Sequence, residues 1–416
     1  MRVASETGRR VCLVVSMALL VGGAVAGCGK TKGDAASDAK SVTLWEYMDP
    51  GEKAVLDSLL AEYQTAHAGT TITSEHYTPE DLRNQFQTAA QSGGGPDIAY
   101  GPSDNAGPFS VMQLVQPVDA LMPAGYLDNF LPTSLDTLNG HVWQLPDQFG
   151  NHLMLICNTA LVPHPPQTIN ELIAMAKAAT RDSTYGLVFN TAEPFWLVPF
   201  LGGYGGWVMD AQSKPTLDSP AMAKALALVA RFKAEHIMPS ECDYNTADAL
   251  FKEGRAAMII NGLWGMEGYL AKKLPMQVAR IPRIIETGRW SQPMISGRGY
   301  YVNAHVTAAK KPLVIDLLVF LTSPQAEMRY ARSARTLPSR AECYGPDSWV
   351  SRDPLLAGAL DQTTVGRRMP VAPEMRVIWD AMRPQMQNVM NGSAQPAAAA
   401  TAMQADATQK IAAMHK

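Results

Sequence analysis

Hydrophobic and polar positions alternate over the first folded part of the chain in a way that predicts a strand–helix–strand–helix–strand unit. Ser41–Tyr47 has the period of two that is typical of strands, and Thr70–Tyr77 is rich in residues that favour strands. Gly51–Ala68 between them carries its large apolar side chains on one helical face. Pro96–Tyr100 is predicted as a further, buried strand. Because strands that are joined by helices usually pair in parallel, this order predicts a parallel sheet with helices on both faces.

The second helix of this unit has a well-marked start. Thr78 offers a capping hydroxyl, Pro79 occupies the first helical position, and Glu80 and Asp81 place two acids in the first turn. Apolar residues continue the helical period until three consecutive glycines, Gly93 to Gly95, end it. We therefore predict a helix from residue 79 to about residue 92.

Strands and helices keep alternating towards the C-terminus, which predicts the α/β class. Further strands are predicted at Trp143–Pro146, Leu153–Cys157, Tyr185–Phe189, Ala256–Ile260 and Val302–Ala304. Further helices are predicted at Ile169–Thr180, Met222–Glu235, Asp243–Phe251, Lys311–Thr322, Val377–Met390 and Ala398–Met414. No internal repeat is visible, and periodicity alone leaves the order of the strands open.

The N-terminal residues predict a targeting signal that is not part of the folded protein. Val11–Val25 is an apolar run of the length of a secretory signal, too short to cross a membrane comfortably, and it follows two arginines. It leads into Val25-Ala26-Gly27-Cys28, which resembles the lipobox of bacterial lipoproteins. The resemblance implies a signal peptide over residues 1–27 and a lipid on Cys28; the alternative is an ordinary secretory signal with an incidental cysteine. Residues 28–40 are small and polar, which predicts a flexible linker.

The remaining composition argues against several classes of protein. About 375 residues from Ser41 onwards are enough for two domains or for one large bilobed domain. The net charge of −3 and the lack of basic runs argue against a nucleic-acid partner, and the sequence has no second apolar stretch of membrane-spanning length. Cys157, Cys242 and Cys343 match no metal-ligand spacing and can form at most one disulfide. We therefore expect neither a metal nor another cofactor.

Five segments carry a resemblance to a known family. Gln91–Gly107 contains Gly-Gly-Pro-Asp-Ile followed by an aspartate in a loop, and the other four segments are Asn158–Thr168, Phe189–Phe195, Phe251–Trp264 and Pro373–Arg383. In order and spacing they resemble the maltose/maltodextrin-binding proteins of bacterial ABC importers. The resemblance covers the chain from Ser41 to its C-terminus. It is specific for the family and less specific for the ligand, because the wider family binds many sugars.

The resemblance implies a two-lobed α/β fold of the periplasmic-binding-protein type (type II), with the ligand in a cleft that a hinge motion closes. The N-lobe would comprise residues 41–148 and 299–335, and the C-lobe residues 149–298 and 336–416. It further implies a monomeric, non-enzymatic protein outside the cytoplasm. Such a protein binds a small carbohydrate, is tethered to the membrane through Cys28, and delivers its ligand to the transmembrane subunits of a permease.

The ligand site is predicted from what a sugar requires. Its C–H face stacks on aromatic rings and its hydroxyl edge needs carboxylate, amide or guanidinium partners, in loops at the strand ends of an open α/β sheet. The resemblance implies a ligand-binding set of Asp49, Ser103, Asp104, Asn151, Glu193, Phe195, Trp264, Trp379, Asp380 and Arg383. Trp379 and Arg383 are four residues apart, so both can face the cleft from one helix. The ordinary alternatives are a solvated loop acid for Asp104 or Glu193 and a core position for Phe195 or Trp379.

Three positions depart from the maltodextrin-binding pattern. Gly101-Pro102 stands where these proteins carry a tryptophan, Asp380 stands in place of a tyrosine, and Asn151 lies near their hinge-side glutamate. The loss of two stacking aromatics and the gain of a carboxylate favour a shorter or more polar sugar over a long dextrin. Arg298, next to the predicted hinge, is expected at the surface, and the alternative is a contact to an anionic group.

The leading hypothesis is the substrate-binding lipoprotein of an ABC sugar importer that captures maltose or a related short oligosaccharide. The main alternative is another solute in the same fold, such as trehalose, another oligosaccharide or a glycerophosphodiester. A lipid-anchored glycoside hydrolase that uses Asp104 and Glu193 is a remote alternative. Such enzymes hold two carboxylates about 5–10 Å apart around one bond, whereas these two are expected on opposite lobes.

Overall fold

The strands of the protein form two large sheets and two small two-stranded ones, β5-β6 and β12-β15, in the computed structural model, which describes residues 39–414. In chain order the strands are β1 Ser41–Glu46, β2 Thr71–His76, β3 Ile98–Pro102, β4 Val115–Gln116, β5 Thr137–Leu138, β6 His141–Val142, β7 Leu145–Phe149, β8 Met154–Asn158, β9 Tyr185–Val188, β10 Ala256–Asn261, β11 Met276–Ala279, β12 Met294–Ile295, β13 Arg298–Asn303, β14 Leu337–Pro338 and β15 Arg367–Arg368. Each predicted strand overlaps one of these, while β11 and the two-residue strands β4, β5, β6, β12, β14 and β15 were not predicted.

The helices cover the outer faces of both sheets. In chain order they are α1 Pro50–Ala66, α2 Pro79–Gln91, α3 Ala106–Val111, α4 Ile169–Ala179, α5 Val198–Gly203, α6 Pro220–Ala234, α7 Tyr244–Lys252, α8 Met266–Ala271, α9 Lys311–Leu321, α10 Pro324–Ala334, α11 Trp349–Arg352, α12 Pro354–Thr363, α13 Glu374–Met390 and α14 Pro396–Met414. The predicted start of α2 is confirmed: the Thr78 hydroxyl accepts from the Asp81 amide at 3.4 Å, and Pro79 opens the helix.

The first sheet has seven strands in the order β14-β7-β13-β3-β1-β2, with β4 beside β13. β1 pairs in parallel with β2 and β3, as predicted, but β13 runs antiparallel to β3 and β7. The prediction of a parallel sheet is therefore wrong for this part of the sheet. Its basis was a helix between successive strands, whereas β13 enters from the side of the second sheet and pairs with strands far away in sequence.

The second sheet has four strands in the order β11-β8-β10-β9. Only β10 and β9 are parallel, because β8 runs against both β10 and β11. Every residue of β8 and β10 is buried, which explains why both read as continuous apolar runs in the sequence. Cys157 lies in β8, and all three cysteines of the described residues are buried and unpaired.

Helices pack on both faces of the first sheet, and the alternation along β13 shows this. Tyr300 and Val302 belong to one core, with Leu56 and Leu60 of α1, while Tyr301 between them belongs to a second core that contains Phe86 of α2. A third and larger core surrounds the second sheet. The two large sheets are therefore packed by separate cores.

The chain passes between the sheets after β7 and again before β13. The lobe boundaries given above (41–148 with 299–335, and 149–298 with 336–416) fall near these passages. β14, at Leu337–Pro338, still pairs with β7 of the first sheet although it follows the third proposed boundary. The division remains a proposal. Cys28 and the signal and linker residues before residue 39 lie outside the described residues.

Candidate solute-binding site

The loop after β3 meets α13 where the two sheets face each other. Asp104 lies in a 3-10 turn, Ser103–Asn105, directly after β3, and the indole Nε1 of Trp379 donates to its Oδ2 at 3.4 Å. The other oxygen of Asp104 is buried and has no hydrogen-bond partner among the described residues. Burial raises the pKa of Asp104, while the hydrogen bond from Trp379 and the charge of Arg376 act against this rise. Asp104 thus presents a partly desolvated acceptor beside an indole ring.

Glu193 and Arg383 form a bidentate ion pair next to the contact between Trp379 and Asp104. Arg383 donates from Nε to Oε1 of Glu193 at 3.0 Å and from Nη2 to Oε2 at 2.9 Å. Asp380, one turn earlier on α13, accepts from Arg383 at 3.3 Å. The hydrogen bonds that Arg383 donates to Glu193 are the first cause of the raised pKa of Arg383. The structure therefore brings five of the predicted residues, Asp104, Glu193, Trp379, Asp380 and Arg383, to one end of the cleft.

A second bidentate ion pair, which we did not predict, connects α13 with α2 at this end of the cleft. Arg376 of α13 donates to Oε1 and Oε2 of Glu80 in the first turn of α2, at 3.1 and 3.2 Å. Arg376 also lies 3.3 Å from Asp380. The sequence contained a signal for half of this pair, because residues 376 and 380 are four apart on one helix. It contained none for Glu80, which is more than 290 positions away.

Aromatic side chains line the second-sheet side of the cleft. The ring of Trp196 is buried and meets Trp264 at 6.4 Å and Tyr244 at 6.2 Å between centroids, while Phe195 lies 6.4 Å from Trp379. Trp264 and Phe195 are only half-buried, so each has an accessible ring surface. Trp379 is 6 % exposed, so it packs in the core and reaches the cleft through its indole N–H.

The turn before Trp264 explains why the ring points into the cleft. Gly262 follows β10, and a Cβ atom at this position would lie 2.0 Å from the ring of Trp264. No side chain larger than hydrogen fits there. The Asn261-Gly262-Leu263-Trp264 segment therefore folds the indole back over its own backbone at the end of a strand, where ligands of open sheets bind.

Asp49 faces the same cleft from the end of β1. Burial raises its pKa to about 6, the charge of Glu52 adds to the rise, and Arg298 opposes it. Asp248 and Lys252 of α7 also act on Asp49, which places this helix of the second sheet's side opposite it. Asp49 therefore marks the other end of the cleft, away from Glu193 and Arg383.

A buried ion pair forms the floor between these two ends. Arg298 donates from Nη2 and Nη1 to the two carboxylate oxygens of Glu52 at 2.8 and 3.3 Å, and Gln148 donates to Glu52 at 3.1 Å. The guanidinium lies over the rings of Tyr47 and Tyr100, at 5.2 and 5.4 Å. The expectation that Arg298 is a surface residue is wrong, because it is 4 % exposed. Its partner, Glu52, lies far away in the sequence, so no local pattern predicted this pair.

Comparison with known proteins agrees with this geometry. The family model for bacterial extracellular solute-binding proteins matches residues 58–358 of the chain. The chain belongs to this family. Its members are solute-binding proteins and not enzymes, which removes the glycoside hydrolase alternative and places the protein outside the cytoplasm.

Among curated relatives of this solute-binding protein is the maltotriose-binding protein of Pyrococcus abyssi, with 26 % identity over 84 % of this chain and 77 % of the relative. The galactooligosaccharide-binding protein of Bacillus subtilis is 22 % identical over 92 % of this chain and 93 % of the relative. The maltose/maltodextrin-binding domain MalE of Bdellovibrio bacteriovorus, solved with maltotriose, superimposes with a TM-score of 0.86 and 38 % identity over 89 % of this chain and 99 % of that chain. The expected two-lobed fold of type II periplasmic binding proteins is thereby confirmed.

Two predicted residues of the solute-binding protein lie below the cleft surface. Ser103 is 1 % exposed and lies beside Asp136, so it supports the Asp104 turn from inside. Asn151 has a left-handed backbone (φ 27°) and donates to the Ser296 hydroxyl at 3.0 Å. It also lines a cavity of about 20 Å³ together with Trp264 and Arg298. Asn151 is partly exposed, and its hydrogen bond to Ser296 joins two chain passages between the sheets.

Metal binding finds no support in the folded part of the solute-binding protein. Over residues 39–414, histidine, cysteine, aspartate and glutamate side chains nowhere form a group of three or more with metal-binding geometry. Across the same residues no helix has the length and apolar character needed to cross a membrane.

Proposed function

We propose that this protein captures maltotriose or another short maltooligosaccharide for an ABC importer. The observation that carries the proposal is a set of carboxylates, Asp104 and Glu193, held by α13 through Trp379 and Arg383. The part-exposed rings of Phe195 and Trp264 lie on the second-sheet side of the same cleft. Carboxylates accept hydrogen bonds from sugar hydroxyls, and aromatic rings cover the apolar sugar faces. Relatives named for maltotriose and maltooligosaccharides support the same class of ligand.

The charges of the cleft favour a neutral ligand over a glycerophosphodiester. Each of its three arginines is already paired with a carboxylate: Arg298 with Glu52, Arg376 with Glu80, and Arg383 with Glu193. Asp49 and Asp104 add two further acids. An anionic solute would have to displace one of these pairs, whereas a sugar hydroxyl can donate to a carboxylate that keeps its arginine.

Ligand capture is proposed to use hinge closure between the two lobes. The contacts Trp379–Asp104 and Arg376–Glu80 each join a residue that follows or packs on the first sheet to α13, which packs around the second. A ligand between the lobes adds contacts to both sides at once, so it favours the closed arrangement by its differential affinity. We further propose that the protein acts as a monomer.

Delivery is proposed to occur at the membrane surface. Cys28 would carry the lipid, and the polar residues up to Lys40 would give the folded part reach towards the permease. The replacement Cys28→Ala tests this separately: we expect the protein to leave the membrane fraction while the purified chain keeps its affinity for the ligand. Retention of the variant in the membrane fraction would contradict the anchor.

The ligand class is tested by calorimetric titration of the purified chain. We expect maltotriose or maltose to bind with one site per chain and to raise the melting temperature as ligand concentration exceeds Kd, since ligand binds only the folded state. Trehalose, a galactooligosaccharide and a glycerophosphodiester serve as competitors for the assignment. If one of these binds and the maltooligosaccharides do not, the proposed ligand is wrong.

A further inference from the structure

A small cavity lies where the chain passes between the two large sheets. Its volume is about 20 Å³, and residues of all three passages line it: His152 after β7, Arg298 at the start of β13, and Thr336 before β14. Trp264, a residue of the proposed ligand site, lines it as well. The cavity therefore lies within the proposed hinge and next to the cleft.

Each of the three passage residues has a buried polar atom without a hydrogen-bond partner among the described residues. These atoms are Nε of Arg298, Oγ1 of Thr336 and Nδ1 of His152. The three residues are 4 %, 3 % and 1 % exposed, so bulk water hardly reaches them. Because a buried polar group that stays unpaired costs free energy, three such atoms around one cavity indicate a shared partner inside it.

The hydrogen-bonding roles of the three atoms are complementary. Nε of Arg298 can only donate, and both Nη atoms already donate to Glu52. Nε2 of His152 lies 3.0 Å from the Ala359 carbonyl oxygen, so Nε2 carries the proton and Nδ1 is left to accept. Burial lowers the pKa of His152 to about 4, which keeps the ring neutral near pH 7. The partner must therefore accept from one side and donate to the other, while the Thr336 hydroxyl can do either.

The size and the charge of the cavity favour water as this partner. A buried site needs about 10–15 Å³ to hold one water molecule, so the available volume fits one water and is far too small for a sugar unit. The charge of Arg298 is already neutralised by Glu52, which removes the attraction for an anion. A cation would meet the N–H of Arg298 and is disfavoured.

We propose that this cavity holds one water molecule that connects the three chain passages of the hinge. The water accepts from Arg298, donates to His152 and forms a third hydrogen bond with Thr336. Because all three passages build the cavity, a hinge motion changes its shape, and the water favours the arrangement seen here. Thr336 is then a positioning residue, too buried to reach a ligand. Its effect on ligand affinity rests on the proposed function, whereas the water site does not.

The test is Thr336→Val, which removes the hydroxyl and nearly keeps the shape of the side chain. A high-resolution crystal structure of the purified chain should show one water within hydrogen-bond distance of Arg298 and Thr336, and the variant should lack it. The melting temperature should fall by about 1–3 °C and the affinity for maltotriose by about 2- to 10-fold, as the loss of one or two buried hydrogen bonds implies. Thr336→Ser keeps the hydroxyl and should retain the water and most of the affinity. Thr73→Val, at an exposed position of β2, is the matched control and should change neither value.

The sign of the change in melting temperature separates a bridged hydroxyl from an unpaired one. Removal of an unpaired hydroxyl would leave the melting temperature unchanged or raise it, and either result overturns the proposal. A wild-type cavity without a water would do the same, as would a peak that bromide replaces on soaking, which identifies an anion. A lower melting temperature with unchanged affinity would refute the role in the hinge. If the wild type binds no maltooligosaccharide, the proposed ligand is wrong, and the crystal structure and the melting temperature still decide on the water.

Discussion

Two ion pairs connect separate parts of this protein, and they differ in exposure more than in geometry. The pair of Glu52 with Arg298 lies in the floor of the cleft, with side-chain exposures of 2 % and 5 %, and the pair of Glu80 with Arg376 lies at its mouth, with 58 % and 25 %. Both use two nitrogens of the arginine and both carboxylate oxygens. The same hydrogen-bond pattern therefore occurs once in a buried environment and once in contact with water.

The difference decides what each pair can do. A buried charge that loses its partner retains the cost of desolvation, whereas an exposed charge returns to water. Removing one member of the floor pair should therefore destabilise the fold. The pair fixes α1 to strand β13 next to the passage between the sheets. Opening the mouth pair should cost little free energy, which suits the hinge motion proposed above.

The largest effect is expected when one member of the floor pair is removed. Arg298→Met leaves Glu52 buried without its partner, and we expect a loss of about 3–5 kcal/mol in the free energy of unfolding. Urea denaturation measures this. The double variant E52L/R298M removes both charges and should recover most of the loss, because no unpaired charge remains.

The matched control is Arg329→Met. Arg329 pairs with Glu62 at exposures of 37 % and 59 %, so its loss should cost less than about 1 kcal/mol. Equal destabilisation by Arg298→Met and Arg329→Met would remove the distinction between floor and mouth.

An intermediate effect, on ligand affinity, is expected when the ring of Trp264 is removed. Trp264 lines the same small cavity as Arg298 and has an accessible ring surface. Trp264→Ala should weaken maltotriose binding by about 10- to 100-fold through lost stacking, with a smaller change in the melting temperature of the free protein. Trp290→Ala is the control, because Trp290 lies between Arg280 and Arg283 and outside the cleft. A similar loss of affinity in both variants would place the ligand elsewhere.

The acid next to the floor pair predicts a pH dependence of stability. Burial raises the pKa of Asp147 to about 7, opposed by Arg298 and by the hydrogen bonds from Tyr100 and Tyr300. The unfolded residue titrates near its usual pKa of about 3.9, so between roughly pH 4 and 7 the folded state binds more protons. The free energy of unfolding should therefore fall as the pH rises through this window.

Asp147→Asn should flatten that slope, because the amide does not titrate. Chemical denaturation at several pH values measures it, with the exposed Asp128→Asn as the control. An unchanged slope in Asp147→Asn would show that Asp147 is ionised throughout this range. Its negative charge would then be present in the buried floor of the cleft.

Interactions between residues that are close in the sequence could be predicted, and those between distant residues could not. Local signals such as the Thr78 cap and Pro79 at the start of α2 predicted real features, because each acts within a few residues. The starts of α10 and α12 carried a comparable signal, Ser323-Pro324 and Asp353-Pro354, with each cap accepting from the first turn. We overlooked these starts because no strand alternation flanks them.

Long-range pairings were beyond the reach of sequence patterns. The partners Glu52 and Arg298 are 246 positions apart, and nothing in either segment indicates the other. The antiparallel direction of β13 was missed for the same reason, because its neighbours β3 and β7 lie far away in the chain. The resemblance to a family supplied Asp104, Glu193 and Trp264, but not Glu80 or Arg376.

The smallest effect is expected at the mouth, and it tests the comparison most directly. The pKa of Glu80 is lowered: partial burial acts against its charge, but the hydrogen bond from Arg83 and the charge of Arg376 outweigh it. A double-mutant cycle of Glu80→Gln and Arg376→Gln, read from the affinity for maltotriose, should give a coupling of about 0.2–1 kcal/mol. Because the Debye length falls to about 3 Å at 1 M ionic strength, this coupling should shrink when salt is added, whereas the loss caused by Arg298→Met should hardly change. A coupling above about 2 kcal/mol that resists salt would mean that the mouth pair is as desolvated as the floor pair, and closure would then be held by charge at both levels of the cleft.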